Sequence, residues 1–267
     1  MYKITNNYHT HTSRCGHAIG EDEEYVLAAI KSGIKILGFT DHVPWPDIIH
    51  PGMRMHVDLL DDYVNSITAL KEKYKDQIEI HIGFEAEYLK EYVPFYTWMM
   101  NHKGIEYYIL GQHCSYDDSR GVYFYTKEKN SRGMADLYFD QLEKGMRSGL
   151  FTYVAHPDII LEGYQIEDEY IYNQIRQICQ IALELDIPFE LNLGRARNAY
   201  YDGHEHNGNK HYPFDKFWKI AGEMHVPVVV GIDAHNPKDF IVDLSPLIER
   251  FKNAYNLNII DIIKFKN

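Results

Sequence analysis

An alternation between two kinds of segment limits the fold more than any other feature of this chain. Short apolar runs occur at 35–42 (KILGFTDH), 78–88 (IEIHIGFEAEY), 106–114 (EYYILGQHC), 151–158 (FTYVAHPD), 187–194 (IPFELNLG) and 226–235 (VPVVVGIDAH). A less apolar but strand-like segment, YKITNNYHTH at 2–11, precedes them. Between the runs, at 22–33, 59–74, 173–185 and 214–225, apolar residues recur three and four apart, the period of a helix buried on one face. Gly33 and Gly149 stand where such helices stop. Strand followed by helix, about seven times over, requires a parallel sheet, either closed into a barrel or open and doubly wound. A Rossmann glycine fingerprint and a Walker loop are both missing, which disfavours the nucleotide-binding open sheets. No repeat or Pro/Gly/Ser-rich linker breaks the pattern, so one domain over 1–267 is expected.

Metal-capable side chains sit where the apolar runs give out. Six of the seven predicted strands end in one: His9 and His11, Asp41 and His42, Glu85, His113, His156, and Asp233 with His235. In parallel α/β folds the strand C-termini share one face, and that face carries the chemistry. His9 and His11 are two apart, so in an extended strand both point the same way. A single histidine at a strand end is usually just a hydrogen-bonded polar residue. Seven imidazoles, counting His17 of the first loop, together with the carboxylates Glu85 and Asp233 are different: unpaired, they would cost heavily in desolvation. Divalent cations remove that cost, since both groups are good ligands for zinc, iron and manganese.

The 27 basic and 39 acidic residues give a formal charge of −12, which argues against a nucleic-acid polymer or an anionic membrane as partner. A small anion stays possible, because bound cations invert the local field. The start lacks an apolar signal core, and no run is long enough to cross a bilayer. Cys15, Cys114 and Cys179 are widely spaced and odd in number; a reducing cytoplasm is expected. The sequence carries no signature of an oligomeric state.

HTHT at the start, then GFTDH, HIGFEAEY, LGQHCS, VAHPD and GIDAH, occur in order. Together they resemble the motif set of the PHP (polymerase and histidinol phosphatase) family. The resemblance implies a distorted seven-stranded, TIM-like (β/α)7 barrel with a trinuclear metal site at the C-terminal face of the strands. Carried over by position, His9, His11, Glu85 and Asp233 would hold one ion. Glu85 would bridge to a second, completed by His113 and His156, and His17, His42 and His235 would hold a third. The cofactors would be three divalent ions of zinc, iron or manganese. Their charge of +6, less two carboxylates, leaves about +4, a trap for phosphate. Such cations acidify water to a pKa of roughly 7 and spread the charge that builds on phosphoryl oxygens.

The implied activity is a metal-dependent phosphomonoesterase acting on a small phosphorylated metabolite, foremost L-histidinol phosphate in histidine biosynthesis. Glu85, Asp41 and His42 are the candidate catalytic residues; Asp41, His42 or a water would protonate the leaving group. Arg195 and Arg197, in the loop after the sixth strand, are candidate phosphate forks, with Arg195 the closer match to the family. Arg54 and His56 are candidates for the pocket rim, and His81 for packing. Cys15 and Cys114 read as neighbours of ligands, and the histidine-rich stretch 204–213 as a surface loop. Other phosphoesters (a nucleotide or a phosphotyrosine peptide), an amidohydrolase-type C–N hydrolase and a non-catalytic metal-binding protein are the alternatives.

Overall fold

Each of the seven apolar runs supplies a strand to one sheet. The computed structural model describes residues 2–194, 196–197 and 213–265. In chain order the strands are β1 (Asn6–Asn7), β2 (Ile36–His42), β3 (Glu79–Ala86), β4 (Tyr107–Leu110), β5 (Cys114–Asp117), β6 (Gly121–Phe124), β7 (Phe151–Val154), β8 (Phe189–Asn192), β9 (Pro227–Gly231) and β10 (Asn258–Ile259). The helices are α1 (Asp22–Ser32), α2 (Leu60–Lys73), α3 (Val93–Lys103), α4 (Arg132–Arg147), α5 (Glu169–Leu185), α6 (Asp215–Glu223) and α7 (Ser245–Tyr255). The main sheet is parallel throughout, in the order β1-β2-β3-β4-β7-β8-β9-β10.

The sheet curls until its first strand meets the end of β9. Thr10 bridges Ala234, with His11 N–H on the Ala234 carbonyl at 2.9 Å. Asn7 Oδ1 accepts the Ile232 N–H at 2.8 Å. On its other side, Thr10 accepts the Thr40 N–H at 2.8 Å. The segment carrying His9 and His11 is thus wedged between β2 and the end of β9.

Two details depart from the sequence reading. The run 106–114 is not one strand: β4 stops at Leu110, and Cys114 opens a separate antiparallel hairpin, β5–β6. The His113 N–H turns back onto the Gly111 carbonyl at 3.1 Å, ending the extended run. An eighth strand, β10, pairs with the start of β9 over two residues only, too short to leave an alternating pattern.

Strand residues alternate between two cores, as the pleat dictates. Phe84, Tyr108, Leu110, Phe189, Leu191, Val228 and Val230 join the large cluster under the helices. Tyr107, Ile109, Tyr153, Ala155 and Val229 face the concave side with Tyr8 and Ile263. There the Phe265 ring stacks on Tyr107 at 4.6 Å between centroids, so the C-terminal segment fills the lower end of the hollow. α1 stops at Gly33, whose φ of +88° suits glycine. Among the described residues, no helix is long and apolar enough to cross a membrane.

Candidate metal centre

The upper end of the hollow is polar, and Glu85 stands at its middle. This penultimate residue of β3 is 1% exposed. Its Oε2 lies 3.5 Å from His9 Nε2, 3.5 Å from His11 Nε2 and 3.1 Å from His42 Nδ1. Its Oε1 lies 2.6 Å from His156 Nε2 and 3.4 Å from His113 Nε2. One carboxylate therefore shares five imidazoles between its two oxygens, the layout of a bridging ligand. Asp233 completes the ring, its Oδ1 being 3.2 Å from His11 Nε2, 3.5 Å from His9 Nε2 and 3.4 Å from His235 Nδ1. His17, exposed at the mouth, reaches His235 with Nε2 at 3.1 Å from Nε2. All nine residues read from the sequence as ligands form one connected cluster.

Several features suit these groups to cations. His9 and His11 present their Nε2 atoms to each other at 3.1 Å, close to the spacing of two nitrogens sharing one zinc. Asp233 Oδ1 is buried without a hydrogen-bond partner. Burial, the largest single influence, pushes the Glu85 carboxyl up, but His113, His9, His42 and His156 outweigh it and hold the carboxyl well below its usual range. Asp233 is likewise held down, against burial, by His9 and His235. Among the described residues, four triplets of donors have their ligand atoms within 4.8 Å of one another: His11/His42/His235, His9/His11/Glu85, His42/Glu85/His113 and His11/Cys15/Asp41. His156 (φ +31°) and Asp233 (φ +51°) both have left-handed backbones, a cost that non-glycine residues meet mainly where function fixes the side chain.

Behind the cluster lies a second layer that sequence reading largely missed. His113 Nδ1 faces Glu87 Oε1 at 3.3 Å, and Glu87 is paired with buried Arg54 at 3.0 Å. Arg54 is only 3% exposed, donates to the Val43 carbonyl and lies 3.7 Å over the Trp45 ring. It is therefore an interior strut rather than a rim residue. Against the cost of burial, Arg54 and His113 hold the Glu87 carboxyl down at about 2. The HIGFEAEY motif, with carboxylates two apart, carried this signal: Glu85 and Glu87 point to one side of the strand end. Glu190 and Asn192 on β8, also unassigned from sequence, hydrogen-bond within the same layer.

Asp41 is wholly buried. It accepts the Thr12 hydroxyl and the His42 N–H and lies 3.5 Å from His11 Nδ1. His81 contacts Glu106 and Phe265, a packing role as expected. His56 is exposed beside Asp58. Cys15 Sγ is 3.9 Å from His17 Nε2, and Cys114 lies against Glu87 and Arg54. All three cysteines are free and buried.

The cluster opens into a cavity of about 580 Å³, whose described walls include His17, His42, Met53, Phe124, Ile159 and Arg197. Arg197 is already engaged, with the Ile232 carbonyl at 3.1 Å and Asp239 at 3.1 Å. Asp239 also accepts the His235 N–H at 2.9 Å, so Arg197 braces the segment bearing Asp233 and His235. Arg195 and, save for Pro213, the 204–213 loop lie outside the described residues.

A protein of Deinococcus radiodurans named "Probable histidinol-phosphatase" is 26% identical over 233 residues, covering 86% of this chain and 85% of its own. The histidinol-phosphatase of Bacillus subtilis is 22% identical over 268 residues, covering 91% and 97%. In fold, the chain is similar to the histidinol phosphate phosphatase of Lactococcus lactis solved with zinc, L-histidinol and phosphate. The TM-score is 0.70 at 15% identity, over 97% of this chain and 96% of the other. The PHP domain model matches residues 7–193, well over half of the chain and most of the strands that carry the cluster. The chain belongs to the PHP domain family.

Proposed function

We propose that this chain is a metal-dependent phosphomonoesterase that hydrolyses L-histidinol phosphate to L-histidinol and phosphate. One observation carries the reading: Glu85 divides five imidazoles between its two oxygens at the floor of an open cavity. The similarity to histidinol-phosphatases over 86% and 91% of the chain supports the substrate. The architecture we favour is a distorted seven-stranded barrel flanked by β10, with the centre at the C-terminal face of its strands.

Three divalent ions of zinc, iron or manganese fit the nine donors. His9, His11, Glu85 and Asp233 would hold the first, Glu85, His113 and His156 the second, and His17, His42 and His235 the third. Bound there, the ions supply Lewis acidity that makes a nucleophile from water at neutral pH and offsets charge on the phosphoryl oxygens. The protein's own part is placement. Glu85 fixes the spacing of two donor sets, and Glu87 and Asp41 orient His113 and His11 from behind. Asp41 stands behind His11, held by Thr12; we assign it to orienting that ligand, and with His42 committed to the third ion this leaves water in the cavity to protonate the departing alkoxide. Arg195, between cavity-lining Gly194 and buried Ala196, is our choice for the phosphate fork. Arg197 is bound to Asp239 and comes second. The three free cysteines suit a reducing cytoplasm.

The test is a kcat/KM comparison of L-histidinol phosphate with a nucleoside monophosphate, phosphotyrosine and a simple alkyl phosphate, using zinc-loaded protein. We expect histidinol phosphate to exceed each of the others by at least about 100-fold, the discrimination that pocket fit alone supplies. A flat profile would retain the phosphatase and remove the biosynthetic substrate.

A further inference from the structure

The sixth apolar run was the one predicted strand without a metal-type ligand at its end. In the folded chain its residue Glu190, on β8, has 0% exposure. Glu190 Oε1 faces His9 Nδ1 at 2.8 Å and accepts the Tyr153 hydroxyl at 3.5 Å. Its Oε2 accepts the His156 backbone N–H at 3.2 Å and the Asn192 amide at 2.9 Å. The same Asn192 nitrogen donates to Asp233 Oδ2 at 3.1 Å. Three residues of the cluster, from the segments after β1, β7 and β9, therefore hang on one carboxylate.

This contact decides which face of His9 is free. With its proton on Nδ1 the ring donates to Glu190 and turns the Nε2 lone pair toward Glu85 and Asp233, each 3.5 Å away. In the other tautomer two lone pairs would oppose each other at Nδ1, and an N–H would face any cation. Room for the carboxylate depends on Gly231 of β9, where a Cβ would fall 1.9 Å from Glu190 Oε1.

We infer that Glu190 is the positioning residue of the centre: it sets the His9 tautomer and ties the spacing of His156 and Asp233 to it. The inference rests on the metal-dependent reading above. Zinc would be titrated into metal-free full-length chain against a chromophoric chelator, for the native protein, Glu190→Gln and Gly231→Ala, with circular dichroism as the check of folding. The expected result is folded variants that bind zinc 10- to 100-fold more weakly, Gly231→Ala doing so by pushing the carboxylate from behind. A merely structural role would shift the melting temperature and leave zinc affinity alone. Native-like affinity in both folded variants overturns the inference. If Glu190→Gln does not fold, Gly231→Ala decides by the same criterion. A native chain that takes up no zinc instead overturns the metal reading itself.

Discussion

Gly111 makes the demands of the centre concrete at the level of one residue. A Cβ there would lie 2.1 Å from Glu85 Oε1 and 2.5 Å from its Cδ, so any side chain displaces the shared carboxylate. Gly111→Ala should fold yet lose about 100-fold in kcat/KM, the usual cost of a misplacement near 1 Å. Gly133→Ala, whose new methyl would meet only Ser131 Oγ at 3.9 Å, should keep full activity. Steady-state kinetics on the two variants check the contrast. At this scale the sequence displayed donor types but not their partners. Glu87 and Arg54 are 33 positions apart, and nothing local marks either as buried. Arg54 reads as a rim residue until the fold sets it against Trp45 and Glu87.

Elements were legible where their signal is local. The 59–74 and 173–185 periodicities correspond to α2 and α5 within a few residues. The start of α5 is fixed by Asp168, whose Oδ1 accepts the Ile171 N–H at 3.1 Å while Oδ2 meets Arg132 at 2.9 Å. Asp168→Ala should cost about 0.5–2 kcal/mol in urea unfolding and leave kcat/KM unchanged, since α5 lies outside the cluster. Hairpin β5–β6 escaped the sequence reading for the converse reason. Its Cys114–Asp117 strand is continuous in sequence with β4, and only the turn at Gly111 to His113 separates them. β10 escaped because two paired residues cannot establish a period.

Taken whole, the molecule sets a dense polar cluster above a packed aromatic floor. The floor and the outer core are packed from apolar and aromatic side chains that need no cation to hold them, so metal and fold should be separable. Chelator-treated protein is expected to stay folded by circular dichroism but to melt at lower temperature and to lose phosphatase activity. Added zinc should restore both, each ion contributing about 4 kcal/mol when present at a thousandfold excess over its Kd. The carboxylates around His9 and His11 outweigh burial and raise both imidazoles well above their usual pKa. Zinc must displace those protons, so uptake should release acid and weaken as pH falls. Unfolding on chelation, or activity that survives it, would contradict this division.

By itself the sequence determined the strand–helix alternation, the parallel sheet and which histidines and carboxylates stand at the strand ends. Those properties are written in short-range periodicity and in where each apolar run ends. The tertiary structure alone decided that Glu85 serves five imidazoles, that Arg54 turns inward, and that Glu190 stands behind His9. Each depends on strands far apart in sequence being brought to a few ångströms by the curl of the sheet, and no local pattern encodes that distance.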